Sequence, residues 1–423
     1  MIKFIRLEED VTPEELENRV SAKGIKVLKR YKLTNIIKIE VPDVQSLSLE
    51  SMRTMLEPFT LKEMYDDFDV HHCLDVARPL VGIERVWERP NRGDGMVLGI
   101  CDTGVDKDHP DLAGRVIATT DFTGEGDFDG NGHGTHVSTI AIGDGSKSDG
   151  RYAGAAPEAK MYMAKGLRSD GSGSASMIAD GIDWLAEQNV DVISLSLGGT
   201  ALPRIKDILQ VMCEAAVDQG IAVFCAAGNS GPGARTIGTP GVSPKVITVG
   251  ASDDSDQVAE FSSRGPTLDG YEKPDIVAPG VKIIAGRAKN TELGRVIDPY
   301  YVELSGTSMA TPLAAGIGLL VKREHAGITP AEVKARLETY AKDLGTGDDN
   351  IEGEGRVQAL EAVSEPQPTP QPEVPIADPQ PNCFLTRLLG GSSSLLPVFR
   401  MVRDDVLAPT FIGRTLTRLY YRL

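Results

Sequence analysis

No stretch of this 423-residue chain approaches the roughly 20 apolar residues that a bilayer-crossing helix needs. The start, Met1 to Asp10, lacks both the continuous apolar h-region and the small-residue cleavage site of a secretory leader. Paired cysteine motifs are missing as well. Cys73, Cys101, Cys213, Cys225 and Cys383 are odd in number and scattered with no CxxC, so neither a disulfide framework nor a zinc site is indicated. Basic charge is in deficit, with 44 Lys and Arg against 61 Asp and Glu and a net charge of −17. That excludes a general binder of nucleic acid or anionic membranes and suits a soluble protein. Unpaired thiols persist best under reducing conditions. With no leader visible, the cytoplasm is the expected compartment, and secretion is the alternative raised by the long N-terminal module.

The remaining composition supports one large α/β domain with smaller modules. Residues 1–72 read as a β-α-β-β-α-β unit, the ferredoxin-like α+β pattern. A strand around Ile2 and Phe4 precedes Thr12-Pro13-Glu14-Glu15, which supplies an N-cap, a first-turn proline and a capping-box glutamate; Gly24 closes the helix. Strand-like runs Ile25–Tyr31 and Ile36–Val41, a helix with Leu49, Met52 and Leu56 on one face, and a strand near Leu61–Tyr65 complete it.

Residues 73–363 alternate strand-like runs with helical segments. The strand runs are Met96–Cys101, Lys160–Ala164, Val190–Leu195, Ala222–Ala226 and Val246–Val249. The helical segments are Ser176–Gln188, Ile205–Gln219, Thr311–His325 and Pro330–Ala341. Such alternation predicts a doubly wound, mostly parallel sheet with helices on both faces, and functional residues where strands end and helices begin. Residues 364–382 form a Pro-rich linker, and residues 383–423 an Arg-rich tail, read as disordered or partly helical or, more sharply, as docking to a partner or a membrane surface.

Four short segments carry chemistry. Asp102 follows the apolar run Val97-Leu98-Gly99-Ile100-Cys101 and should emerge at a strand's C-terminal end, where a buried carboxylate could orient an imidazole. His133, between two glycines in Gly132-His133-Gly134-Thr135-His136, has the access a general base needs. His136 shares its face, which leaves a metal pair as an alternative, but no third ligand has suitable spacing. Ser308, in Gly306-Thr307-Ser308-Met309-Ala310-Thr311-Pro312, sits before an apolar helix whose free N–H groups could hold an oxyanion; a plain N-cap is the alternative. Asn229, in Ala226-Ala227-Gly228-Asn229-Ser230-Gly231, could donate a second hydrogen bond there, or be a loop asparagine.

Together these segments resemble the subtilase (subtilisin-like serine peptidase) family over about residues 73–363, in the order Asp, His, Ser that subtilisin uses. The resemblance implies a serine endopeptidase acting through Asp102, His133 and Ser308 and an acyl-enzyme, with Asn229 as oxyanion donor and no cofactor required for the chemistry. Protein or peptide substrates follow. Gly171-Ser172-Gly173 and Ser196-Leu197-Gly198 are similar to the two backbone edges between which substrate lies as an added strand. Ala226, Ala227, Gly228 and Gly238 are similar to walls of the P1 pocket. Small residues there, with Ser230 rather than an acid after Asn229, favour a roomy, apolar P1 preference. Residues 1–72 resemble the inhibitory propeptide, which implies a self-processing zymogen cut near His71-His72-Cys73 and a propeptide that partners the enzyme in cis. Calcium is common in the family, and Asp127–Gly132 and Asp144–Asp149 offer oxygen ligands, so structural calcium is expected with its ligands unassigned. A narrow processing peptidase docked through its tail, or a non-catalytic binding protein, are the alternatives.

Overall fold

Chain order in the N-terminal part follows the β-α-β-β-α-β alternation: β1 (Ile2–Leu7), α1 (Pro13–Val20), β2 (Lys26–Arg30), β3 (Ile36–Glu40), α2 (Leu49–Leu56) and β4 (Leu61–Asp66). The structure is a computed structural model and describes residues 2–8, 11–30, 36–41, 49–66, 73–204 and 206–364. Tyr31, Ile205, the expected cleavage region at His71-His72, the proline-rich segment beyond Ser364 and the arginine-rich tail lie outside the described residues. The four strands pair antiparallel in the order β2-β3-β1-β4, the split βαβ arrangement. Thr12 and Glu15 form the reciprocal capping box that starts α1, and Gly24 adopts the left-handed conformation (φ 76°) that ends this helical segment. Leu16 and Val20 from α1 and Met52 and Leu56 from α2 bury one face of the sheet with Ile5 and Ile39.

After α3 (Cys73–Leu80) and α4 (Ile83–Trp87), the chain lays down β5 (Val97–Asp102), β6 (Val116–Asp121), α5 (His133–Ile142), β7 (Lys160–Lys165) and α6 (Ala175–Glu187). It continues through β8 (Val192–Leu195), α7 (Ile208–Asp218), β9 (Ala222–Ala226), β10 (Ile247–Ser252) and β11 (Ile276–Pro279). These seven strands form one sheet, β11-β10-β9-β8-β5-β7-β6, with parallel pairing throughout. Next come β12 (Ile283–Gly286), β13 (Arg295–Val296) and β14 (Tyr301–Leu304), a separate antiparallel sheet, then α8 (Thr307–Glu324), α9 (Pro330–Thr339), α10 (Asp349–Glu352) and α11 (Ala359–Val363).

Strand periodicity sends alternate side chains into two cores. From β5, Leu98 and Ile100 enter the core shared with α5 and α8, whereas Cys101 enters the one shared with α6 and α7. Cys101, Cys213 and Cys225 are buried free thiols in that second core. Small residues allow α8 to approach: a Cβ built on Gly318 would lie 2.6 Å from the Phe224 ring, and one on Gly316 2.6 Å from Ala155 Cβ.

β6 and β7 lie on one side of β5, and the strands from β8 onward lie on the other. β5 is therefore the topological switch point, and the crevice opens at its C-terminal end, where Asp102 stands.

Candidate active site

Asp102 is the last residue of β5 and has no exposed surface; His133 is the first residue of α5. Their side chains meet, with His133 Nδ1 2.7 Å from Asp102 Oδ1. An ionised carboxylate only accepts, so Nδ1 carries the proton and Nε2 is left as the base. Asp102 Oδ1 also accepts from the Thr103 amide at 2.8 Å. Burial lowers the His133 pKa, but the charge and hydrogen bond of Asp102, with the charge of Asp129 behind them, outweigh it and hold the pKa above its ordinary value. His136 does something else. It is fully buried, its Nε2 lies 3.1 Å from the Val302 carbonyl, and burial pushes its pKa down to about 3, so it is a neutral packing residue.

Ser308 lies one residue inside α8, which starts at Thr307, four residues earlier than the proline at 312 suggests. Pro312 has no N–H to offer the Ser308 carbonyl; Ser196 Oγ donates to that carbonyl instead, at 2.9 Å. The contact is reciprocal, because Ser308 Oγ donates to the Ser196 carbonyl at 3.2 Å rather than to His133. A rotation about one side-chain bond separates this arrangement from one directed at His133. Asn229 is fixed by Thr307, whose amide (2.9 Å) and hydroxyl (3.0 Å) both donate to its Oδ1. Two donors on Oδ1 settle the amide's orientation and turn Nδ2 outward. A Cβ built on Gly306 would lie 3.4 Å from Asn229 Nδ2 and 3.6 Å from the Ser308 amide. Both donors therefore border one small space beside Ser308.

His133 lines a cleft of about 690 Å³ together with Gly171-Ser172-Gly173 on one side and Ser196-Leu197-Gly198 on the other. Ser308 and Asn229 line a second cavity of about 530 Å³ that shares Leu197 and Gly198 with the first. Ala226, Ala227, Gly228 and Gly238 all lie on its wall. The paired bonds between Gly199 and Thr239, both 2.9 Å, tie the two sides of this cavity together. His133, Ser308, Asn229 and the expected substrate-binding residues thus line two adjoining hollows, with Asp102 buried behind His133.

Comparison with known proteins agrees with this geometry. Residues 93–355 match the Subtilase family. The chain belongs to that family. Serine protease AprX of Bacillus subtilis (strain 168) is 39% identical over 367 residues, covering 81% of this chain and 82% of the relative. Subtilisin E of the same strain is 35% identical over 332 residues, 77% of this chain and 80% of the relative. Thermitase of Thermoactinomyces vulgaris is 38% identical over 275 residues, 64% of this chain and 89% of the relative. The protein is a subtilisin-like serine protease.

Several polar residues that brace this subtilase site were not legible as such. Asp129, expected among calcium ligands, is buried and accepts from Thr103 Oγ1 (2.9 Å), the Gly132 amide (2.7 Å), the Thr135 amide (2.8 Å) and Thr135 Oγ1 (2.7 Å). It thereby joins the turn after Asp102 to the first turn of α5. Lys165, fully buried at the end of β7, donates to the Thr103 carbonyl at 2.7 Å from the other side. Thr307 likewise links Asn229 to the Gly228 amide, which donates to Thr307 Oγ1 at 3.2 Å. None of these contacts has a local sequence signature.

The loops expected to hold calcium do not fit the ion. Asp127 is spent on Lys107 (2.9 Å) and Thr119, and Asp129 on the four donors above. In the second loop Asp144 pairs with Arg115 at 3.1 Å and accepts from the Ser146 amide. Among the described residues no group of three or more His, Cys, Asp or Glu side chains could hold a metal.

Proposed function

We propose that the chain is a serine endopeptidase in which Ser308 attacks the peptide carbonyl. His133 Nε2 takes the Ser308 proton, and Asp102 stabilises the imidazolium that forms. Asn229 Nδ2 and the Ser308 amide receive the developing oxyanion, and an acyl-enzyme on Ser308 is then hydrolysed by water. Substrate lies as an extended strand between Gly171-Ser172-Gly173 and Ser196-Leu197-Gly198. The observation that carries this reading is the 2.7 Å Asp102–His133 bond, which fixes the imidazole tautomer at the mouth of the cleft.

In the same proposal residues 1–72 act as an inhibitory propeptide that the active site removes in cis. Their independent four-stranded sheet, preceding the segment matched to the subtilase family, supports it. The test is a fluorophosphonate label together with Ser308→Ala. Wild-type protein should take one label and yield two bands on a gel; Ser308→Ala should take none and remain full-length. Normal separation of the two parts in Ser308→Ala would sink the self-processing claim, and an unlabelled wild-type site would sink the catalytic one.

A further inference from the structure

The cavity beside Ser308 has walls of small or apolar residues, among them Leu197, Ala226, Ala227, Ile237 and Leu268. Among the described residues the one charged side chain on them is Arg235. This residue adopts a left-handed backbone conformation (φ 63°), and its amide donates to the Gly265 carbonyl at 3.2 Å. Its backbone is thus fixed. The guanidinium is not: among the described residues it has neither an ion pair nor a hydrogen bond, unlike Arg115, Arg295 and Arg323, which pair with carboxylates.

Two carboxylates in the adjoining segments, Asp269 and Asp207, are engaged elsewhere. Asp269, next to the wall residue Leu268, accepts from the Arg204 amide at 2.7 Å. Asp207, on the neighbouring cleft, caps α7 through the Leu209 and Gln210 amides. Among the described residues no Asp or Glu lines the cavity itself. A peptide side chain entering it meets apolar walls, donors from the backbone, and one unpaired cation.

We propose that this cavity selects an acidic residue at P1, with Arg235 pairing with its carboxylate, so that the substrate class is peptide bonds that follow glutamate or aspartate. The inference rests on Ser308 being the nucleophile and deepens that reading, replacing the purely apolar P1 preference expected from the small wall residues. The physical grounds are direct. A guanidinium presents a planar fork of donors matched to a carboxylate; Arg235 is exposed, so it meets that carboxylate at the solvent-facing rim while the apolar walls take up the methylene stem. A basic P1 side chain would instead meet a like charge.

The test uses the full chain, with active sites counted by fluorophosphonate, and peptide p-nitroanilides of one leader carrying Glu, Leu or Lys at P1. In wild-type protein kcat/KM for Glu should exceed that for Lys by about tenfold or more, the size expected of one charge-assisted contact. Arg235→Gln should lower the Glu-to-Leu ratio by about tenfold, and Arg235→Glu should reverse the order of Glu and Lys. A Glu-to-Leu ratio that stays within about twofold in Arg235→Gln would overturn the pocket assignment and leave the peptidase reading standing. Failure to hydrolyse any of the peptides, with no fluorophosphonate label, would end both.

Discussion

Opposing effects meet on His133. Burial disfavours its charged form, whereas Asp102 at 2.7 Å and the charge of Asp129 favour it, and the sum lies above the ordinary 6.5. In the proposed mechanism His133 is the general base and works only when neutral, so kcat/KM should rise with pH through a value above 6.5 and be small at more acidic pH. Asp102→Asn removes the charge that raises the pKa and the acceptor that fixes the tautomer. Its acid limb should move to lower pH while kcat falls by about 10⁴. A pH–rate profile of both proteins checks each part; an unmoved limb would contradict the pairing. The same scale governs Gly306, whose backbone is extended (φ 161°) and tolerates a side chain. Its missing Cβ is what leaves space between Asn229 Nδ2 and the Ser308 amide. Gly306→Ala should therefore lower kcat by about 10²-fold, comparable to losing one oxyanion donor, with an unchanged thermal midpoint.

At the scale of the element, α5 begins where it does because Asp129 collects the donors of its first turn and of the Thr103 side chain. Asp129→Ala would leave these donors buried and unpaired, at a cost of about 3 kcal/mol, read as a lower denaturant midpoint. Fluorophosphonate labelling should slow as well, since Asp129 ties α5 to the turn that carries Asp102. Such elements divide into those written locally and those that are not. The capping box at Thr12 and the apolar runs of β5, β7, β8, β9 and β10 depend on neighbours within a few residues, and each could be read within a few positions. β6 could not, because its side chains Val116 to Asp121 are half-exposed at the sheet edge and give no apolar signal. Nor could the short antiparallel strands β12, β13 and β14, whose pairing joins residues far apart along the chain. The start of α8 was hidden for a different reason: Pro312 suggests a helix boundary, and only the Ser196 hydroxyl, over a hundred residues away, satisfies the carbonyl that proline leaves open. Motif residues were thus legible, and the partners that brace them were not.

Across the whole molecule, the sheet is joined to the C-terminal helices by a buried charge cluster remote from the motif residues. Asp275, just before β11, faces Lys273 and Lys334 of α9, and its Oδ2 accepts from the Thr248 amide of β10 at 2.6 Å. Burial raises the Asp275 pKa, but the two lysines outweigh it and hold the carboxyl below the ordinary 3.8. Its contribution to stability is therefore fully present above pH 3.8 and lost as pH falls through the depressed folded value. Lys273, 1% exposed, already has its pKa pushed down to about 8 by burial even with its partner in place. Asp275→Asn would strand that cation beside a neutral amide and leave Lys334 with Glu338 as its one remaining carboxylate among the described residues. Removing one partner of a buried pair costs about 3–5 kcal/mol, whereas replacing a pair by well-packed apolar groups is often neutral. Asp275→Asn should thus show a large drop in denaturation free energy at pH 7. The gap between it and wild type should begin to narrow below pH 3.8, where the unfolded chain takes up the proton, and close as pH falls through the depressed folded value, where native Asp275 is itself protonated. Denaturant titrations at a series of pH values separate this from a packing defect: a gap constant from neutral to strongly acid pH would mean that Asp275 acts through its shape and not its charge.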